Sequence, residues 1–143
     1  MRSRLRVTHG DGISFVEDLD DAGAGDEVLA FVDPPYIREG NRLYTNGMDE
    51  AGHQRLADAL NGTTAQWVLT YDDEPIVSEM LYPDRRVLAY DIRNTANKAR
   101  VAREFAVFSD NVDVRGLGTP LNGLDARWVR DFGDADASPR EGA

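Results

Sequence analysis

Residues 33–36 (Asp-Pro-Pro-Tyr) follow a short apolar run and combine residue types that could do chemistry. Pro34 and Pro35 lock their own φ angles, offer no N–H donor and keep the preceding residue extended. The Asp33 carboxylate and the Pro34 carbonyl therefore form a rigid pair of hydrogen-bond acceptors, and Tyr36 adds an aromatic face. A planar ring with an exocyclic amino group would fit this arrangement, with its amino hydrogens on the acceptors and its ring stacked on the tyrosine.

The chemistry that this arrangement suits is group transfer to the amino nitrogen. Holding both amino hydrogens draws the nitrogen lone pair out of conjugation with the ring and makes the nitrogen a better nucleophile. If an electrophilic methyl group is held in line, transfer requires mainly positioning and charge stabilisation. The alternative is that the two prolines only end a strand. At a proline usage of about 5%, however, this tetrapeptide should arise on the order of once in 10⁵ positions, which favours the functional interpretation.

The elements that must position this tetrapeptide alternate between strands and helices. Apolar runs and apolar alternation predict strands at 4–11, 28–33, 66–73, 85–92 and 103–111. Helical spacing with capping residues predicts helices at 12–23, 49–62 and 73–83. Strand–helix–strand alternation predicts an α/β fold with a mostly parallel sheet, and 28–33 reads as a buried strand of that sheet. Asp33 and the pair Asp72–Asp73 then follow the carboxyl ends of strands, where active sites of such sheets lie.

Composition and length are typical of one soluble domain. The chain has 143 residues and no cysteine, and its apolar runs are far too short for a membrane span. With two histidines and no thiolate, a metal site is not expected. The N-terminus lacks a signal-peptide pattern, so we expect a cytoplasmic protein. Residues 1–111 are predicted to form the catalytic part, and residues 112–143 a Gly-rich, aperiodic tail anchored in part by Trp128 and Val129.

The charge distribution is uneven. The net charge of −10 is the opposite of what phosphate binding usually requires. Residues 11–33 contain acids and no base, whereas residues 85–103 are predominantly basic. The basic segment is interpreted equally well as a solvated face or as a phosphate-facing one. Because nearly all bases are arginine and most acids are aspartate, the source of the chain can explain the bias, and net charge is a weak guide to the ligand.

The tetrapeptide and its surroundings resemble the Dam-type adenine-specific DNA methyltransferases, which use S-adenosylmethionine. The chain matches further parts of that pattern in order: Leu43-Tyr44, His53, Leu56-Ala57, WVLTYDD at 67–73 and Leu81-Tyr82. The segment 92–111 (IRNTANKARVAREFAVFSDN) resembles the closing antiparallel hairpin of the family, with its basic loop. The segment 7–19 (VTHGDGISFVEDL) is similar to the one ahead of the catalytic strand, so the resemblance runs from about Arg6 to Asn111.

This resemblance implies transfer of a methyl group from S-adenosylmethionine to N6 of an adenine in DNA, which must be flipped out of the duplex. It implies that Asp33, Pro34, Pro35 and Tyr36 form the catalytic motif, in which Asp33 and Pro34 hold the amino group and Tyr36 stacks on the base. The implied cofactor contacts are Asp11, Gly12 and Asp33. The implied substrate contacts are Tyr44, Asn46, Tyr71, Asp72, Arg93, Asn97 and Lys98.

Several of these residues have alternative interpretations. Tyr71 could be a core residue, and Asp72 with Asp73 could only cap the following helix. His53 lies between polar neighbours and is interpreted as solvated rather than catalytic. Methylation of an amino group in RNA, or nucleic-acid binding without catalysis, are the alternative functions.

The chain also departs from the family pattern. No Gly-x-Gly lies ahead of Asp33 between a strand and a helix, and the family's target-recognition insert is missing. The resemblance implies a partial Rossmann-like sheet from the strand order 3-2-1-4-5-7-6, in which 4–11 would be strand 3, 28–33 would be strand 4, and the first two strands are absent. The chain could therefore be a subunit completed by a second polypeptide that carries the glycine-rich cofactor loop, a truncated reading frame, or a non-catalytic module.

Overall fold

A mixed five-stranded sheet with helices packed on one face organises the protein. The computed structural model describes residues 4–20, 27–37, 47–94, 100–114 and 125–132, with only the backbone at 93, 94 and 100. The strands are β1 (Leu29–Val32), β2 (Gln66–Asp72), β3 (Arg86–Asn94), β4 (Arg100–Phe108) and β5 (Ala126–Arg130). The helices are α1 (Gly12–Glu17) and α2 (Glu50–Gly62), followed by a π-helical segment at Val77–Leu81.

The described strands lie in the order β1-β2-β4-β3-β5. The pair β1–β2 is parallel, and the other three pairs are antiparallel. The prediction of an α/β fold is confirmed, whereas the prediction of a mostly parallel sheet is wrong for these strands. Helix α2 crosses over from β1 to its parallel neighbour β2, but β4 follows β3 after a short connection and inserts antiparallel between β2 and β3. Strands β1, β2 and β3 still run in one direction, so their carboxyl ends share one edge.

Two strand predictions need correction. Residues 4–11 contain no strand, and Leu5 and Val7 are exposed. An alternating pattern forms a strand only where a neighbour pairs with it, and the four pairs of described strands do not include this segment. The 28–33 strand exists as β1, but it is an edge strand among the described ones rather than a buried one. Leu29 and Phe31 are 59% and 69% exposed because they lie on the face opposite the helices.

The segment beyond residue 111 is not aperiodic throughout, because β5 pairs antiparallel with β3. As predicted, Trp128 anchors this strand, with its ring centroid 5.9 Å from that of Phe108. Val129 points to the other side and is 47% exposed. The Arg130 guanidinium adds hydrogen bonds to three carbonyls in and after the π-helical segment, those of Ser78, Tyr82 and Arg85.

The helix predictions are confirmed in place and corrected in extent. Asp49 caps α2 by accepting a hydrogen bond from the Gly52 N–H at 2.8 Å, as its type predicts. Helix α1 ends at Glu17 rather than running to residue 23. In the predicted helix 73–83, the Tyr82 N–H bonds to the Val77 carbonyl, which is π-helical geometry.

The main core lies between the sheet and the helices. Strand β2 supplies Trp67, Leu69 and Tyr71, each with no exposed surface, and α2 supplies Leu56 and Leu60 against them. A smaller cluster on the other face contains Leu88, Ala106, Phe108 and Val114. None of the described helices has the length and hydrophobicity of a membrane span.

Candidate active site

The segment Asp33–Tyr36 leaves the sheet at the carboxyl end of β1, beside the carboxyl end of β2. Because β1 and β2 are parallel neighbours, Asp33 and Asp72 lie at the same edge, as the sequence predicted. Pro34 and Pro35 carry no N–H, so this stretch cannot continue the backbone ladder. Side chains from β2 and β4 hold the segment to the sheet instead.

Three side-chain hydrogen bonds hold this loop. The Thr70 hydroxyl donates to Asp33 Oδ1 at 2.7 Å. The Ile37 N–H donates to Asp72 Oδ1 at 3.0 Å. Between them, the Tyr36 hydroxyl donates to Glu104 Oε1. The loop is therefore fixed at its start, near its middle and at its end. Asp72 binds the loop backbone in this arrangement, which is a positioning contact.

Glu104 lies under the loop on the face of the sheet opposite the helices. Its second oxygen, Oε2, accepts a hydrogen bond from the Tyr90 hydroxyl at 2.6 Å, and the side chain is buried. Burial, followed by the nearby Glu104 carboxylate, raises the pKa of Tyr36 and of Tyr90 above the ordinary tyrosine value. Both phenols therefore remain neutral donors near pH 7.

A cavity of about 430 Å³ borders the other side of the loop. Asp11 and Gly12 at the start of α1 line it together with Asp33, Pro34 and Pro35, and apolar side chains complete its wall. Its size lies within the range of small-molecule pockets. The three residues implied as cofactor contacts (Asp11, Gly12 and Asp33) thus meet around one space. The cavity reaches the loop at Asp33, Pro34 and Pro35, and Tyr36 is not among its lining residues.

Asp11 has a structural task at this position. Its carboxylate caps α1 by accepting the Ile13 N–H at 3.0 Å, and it also accepts from the Ser14 hydroxyl at 3.0 Å and from Arg55 at 3.2 Å. These hydrogen bonds, the one from Ile13 first, hold the pKa of Asp11 below its ordinary value. The carboxylate is thus a fixed negative charge at the cavity rim. A cofactor contact through Asp11 remains a prediction.

Tyr71 and His53 lie on the opposite face of the sheet from Tyr36. Tyr71 has no exposed surface, and its hydroxyl oxygen is 2.6 Å from His53 Nδ1. Burial raises the pKa of Tyr71 and is the main cause that lowers the pKa of His53. The interpretation of His53 as solvated is wrong, since it is 5% exposed. Tyr71 lies in the core, as its alternative interpretation has it, and a substrate contact through Tyr71 remains a prediction.

The remaining implied substrate contacts are only partly visible. Tyr44, Asn46, Asn97 and Lys98 lie outside the described residues. Only the backbone of Arg93 is described, and it pairs with Val101. The last β2 residue, Asp72, pairs with Glu104, whereas the β3–β4 pairing continues to Asn94 and Arg100. At about 3.3 Å per residue, the hairpin projects on the order of 13 Å beyond β2, on the side of the sheet edge where Asp33 lies.

Sequence reasoning did not identify Thr70, Tyr90 or Glu104 as site residues. A signal for Glu104 was present, because an acid within the apolar strand REFAVF is costly to bury unless hydrogen-bond donors meet it. Thr70 carried no comparable signal. In the described ranges, no group of three histidine, aspartate or glutamate side chains could hold a metal ion.

No protein-family model, curated protein or solved structure matches the chain.

Proposed function

We propose that this protein is the catalytic part of an S-adenosylmethionine-dependent methyltransferase that acts on N6 of adenine in DNA. The observation that carries the proposal is the loop Asp33–Tyr36, held rigidly at the carboxyl end of β1 with a ligand-sized cavity on one side and Tyr36 on the other. A methyl donor in the cavity and an amino base on the tyrosine side would meet at the Asp33 carboxylate.

Asp33 is arranged to act as an acceptor with one oxygen. Thr70 occupies Oδ1, no described residue bonds to Oδ2, and the side chain is exposed. Oδ2 and the Pro34 carbonyl would accept the two amino hydrogens of the base. The cofactor would supply an electrophilic methyl group, whose bond to sulfur breaks as the amino nitrogen bonds to the methyl carbon, so that the electron pair leaves on a neutral thioether. As the amino nitrogen forms its new bond to carbon and becomes cationic, it loses a proton, which Asp33 Oδ2 accepts or passes to solvent, and the Asp33 charge stabilises the positive nitrogen.

The cavity has features that suit the cofactor. Ala30, Val32 and Leu56 give it apolar walls for a flat ring, and Asp11 and Asp33 bring negative charge for amino and hydroxyl groups. These residues fit the size and polarity of S-adenosylmethionine. The cavity lies along β1, the edge strand of the described sheet. We propose that a second polypeptide, or a further segment with a glycine-rich loop, completes the cofactor site alongside β1.

The topology supports the same proposal. The order β1-β2-β4-β3, with β4 antiparallel to both neighbours, corresponds to the order 4-5-7-6 that the resemblance implies for the second half of a Rossmann-like methyltransferase sheet. The tetrapeptide follows the strand that corresponds to strand 4. The position of the motif in the sequence and the position of its strand in the sheet thus agree.

DNA is the proposed substrate because the projecting hairpin carries arginines on the same edge as Asp33. Arg93 and Arg100 lie near its tip by register, and Arg103 lies nearer the sheet. Phosphate contacts from such a ribbon would hold a duplex across the loop while the target base leaves the stack. This local basic segment would provide the attraction that the net charge of −10 does not.

The test is transfer of labelled methyl groups from S-adenosylmethionine to unmethylated DNA by the full chain. Asp33→Asn keeps the shape of the side chain but removes its charge. We expect it to lower transfer by about 10²- to 10³-fold. Asp84→Asn, at an exposed turn far from the loop, is the matched control and should transfer as the wild type does. Equilibrium dialysis with S-adenosylmethionine tests the cofactor site separately.

The outcomes distinguish the parts of the proposal. Undiminished transfer by Asp33→Asn would refute the role of the tetrapeptide. Cofactor binding without transfer by the folded chain would support the cavity and show that catalysis requires the second polypeptide. Failure to bind the cofactor and failure to transfer, with intact fold, would contradict the proposed function.

A further inference from the structure

Glu104 is a buried acid in the middle of β4. It is 8% exposed and is the only acidic residue among the buried polar residues of the described chain. A carboxylate in such a position is destabilising unless strong donors surround it. Within the described residues no ion pair involves Glu104, and its two oxygens instead accept the hydroxyl groups of Tyr36 and Tyr90.

The two tyrosines differ in how they are held. Tyr90 belongs to β3 and is the direct cross-strand partner of Glu104, so the sheet itself fixes its position. Tyr36 belongs to a loop and follows Pro34 and Pro35, which have no backbone N–H to bind the loop to the sheet. The side chain of Tyr36 has two rotatable bonds, and its hydroxyl contact with Glu104 ties the free end of the ring to the sheet. Glu104 is thus held on one side by a rigid neighbour and holds a loop residue on the other.

We infer that Glu104 is a positioning residue, which fixes the ring of Tyr36 relative to the Asp33 carboxylate, with Tyr90 as its brace. The inference rests on the proposed function at one point only, namely that the fixed ring of Tyr36 is the surface on which the target base stacks. If the ring could swing, the base would not stay aligned with Asp33 Oδ2 and the Pro34 carbonyl. A displacement of about 1 Å in such a site can cost on the order of 10²-fold in rate.

The charge environment favours a neutral phenol at this position. Burial, the Glu104 carboxylate and the nearby Asp33 and Asp72 carboxylates all raise the pKa of Tyr36. An ionised Tyr36 would lose its donor and repel Glu104, so the contact requires the neutral form. Tyr36 therefore remains a neutral donor to Glu104 near pH 7.

The first test reads the contact itself, in the full chain without ligand. The protein is labelled with 3-fluorotyrosine, and its ¹⁹F NMR resonances are assigned by single Tyr→Phe variants. Glu104→Gln keeps the volume but replaces one acceptor oxygen by an NH₂ group. We expect the resonances of both Tyr36 and Tyr90 to shift, while those of Tyr71 and Tyr82 on the helix-covered face stay in place. An unmoved Tyr36 resonance would overturn the inference.

The second test separates positioning from stability. We expect Glu104→Gln to lower kcat by about 10- to 100-fold with little change in the KM for S-adenosylmethionine. Tyr36→Phe keeps the ring and loses only the hydroxyl, and should give a similar loss of kcat. The double variant should be no slower than the slower single variant, because the two changes break one contact. Tyr90→Phe should have a smaller effect.

A merely structural role would give a different result. Glu104→Gln would then lower the free energy of unfolding but leave kcat within about twofold of wild type, and the double variant would show additive effects. That outcome would overturn the inference. If the folded wild type neither binds S-adenosylmethionine nor transfers a methyl group, the proposed function fails on its own account, while the NMR experiment still decides whether Glu104 fixes Tyr36.

Discussion

Two tyrosine hydroxyls lie near the carboxyl end of β2, one on each face of the sheet, and their surroundings differ. On the helix-covered face, Tyr71 is fully buried and its hydroxyl meets the imidazole of His53. On the other face, Tyr36 is partly exposed and its hydroxyl meets the carboxylate of Glu104. The first pair joins β2 to α2, whereas the second joins a loop to β4.

The difference separates what stabilises the fold from what can act on a ligand. Tyr71 and His53 contact each other beside a core built from Trp67, Leu69 and their neighbours, and Tyr71 has no exposed surface. Tyr36 and Glu104 form a contact at the edge of the structure, beside the exposed Asp33. We therefore expect substitutions in the core around Tyr71 to change mainly stability, and substitutions at the loop to change mainly activity.

The largest stability difference should come from one apolar side chain on each face. Leu69→Ala removes a side chain with no exposed surface and should lower the free energy of unfolding by about 2–5 kcal/mol. Phe31→Ala removes a larger side chain that is 69% exposed, and should change it by less than about 0.5 kcal/mol. Urea denaturation followed by circular dichroism measures both. Equal losses would mean that β1 is covered on both faces in solution, and the contrast between the faces would disappear.

The covered face should also make stability depend on pH. Burial lowers the pKa of His53 from its ordinary value of 6.5, so the unfolded chain binds more protons than the folded chain as pH falls through this region. The contribution of the buried, neutral His53 to the free energy of unfolding should therefore be present above about pH 6.5, and it should be lost as the pH falls below that value. Denaturation series between pH 5.5 and 7.5 measure this dependence.

Two histidine substitutions make that experiment specific. His53→Asn keeps an acceptor near the position of Nδ1 but cannot titrate, so it should flatten the pH dependence while lowering stability overall. His9→Asn, at an exposed position, should leave the pH dependence as in the wild type. A pH slope that survives in His53→Asn would assign the dependence to other groups and remove His53 from the argument.

Local signals explain which elements were predictable from the sequence. Helix α2 followed from Asp49 as its cap and from the spacing of Leu56 and Leu60, and β2 followed from a continuous apolar run. Which strands pair with each other in the sheet could not be predicted from local sequence patterns. Residues 4–11 alternate as β5 does, yet only β5 has a described strand partner, and no pattern within either segment distinguishes them.

The site residues show the same limit at the level of side chains. His53 was misinterpreted because its neighbours in sequence are polar, whereas its neighbours on the helix surface are Leu56 and Ala57, three and four positions on, which are buried. Glu104 was missed because its donors come from residues 68 positions before it and 14 positions before it. The position of Asp33 directly after β1 was predictable because a local apolar run ends there, whereas the Thr70 hydroxyl that binds its carboxylate comes from 37 positions further along the chain.

The smallest effect should come from the hairpin, where the covered face continues beyond β2 into solvent. Asp91 and Arg103 are direct cross-strand partners there, and Arg103 Nε lies 3.1 Å from Asp91 Oδ1. The side chain of Asp91 is 14% exposed and that of Arg103 is 37% exposed. Ion pairs of this kind contribute about 0–1 kcal/mol, less at high salt, so Arg103→Ala should lower the free energy of unfolding by no more than that. Denaturation at low and high salt measures the change, with Arg103→Lys as the matched control that keeps the charge.

A loss above about 2 kcal/mol would exceed what a solvated pair can give. The pair would then be shielded from water, and the covered face would extend along the hairpin instead of ending where β2 ends.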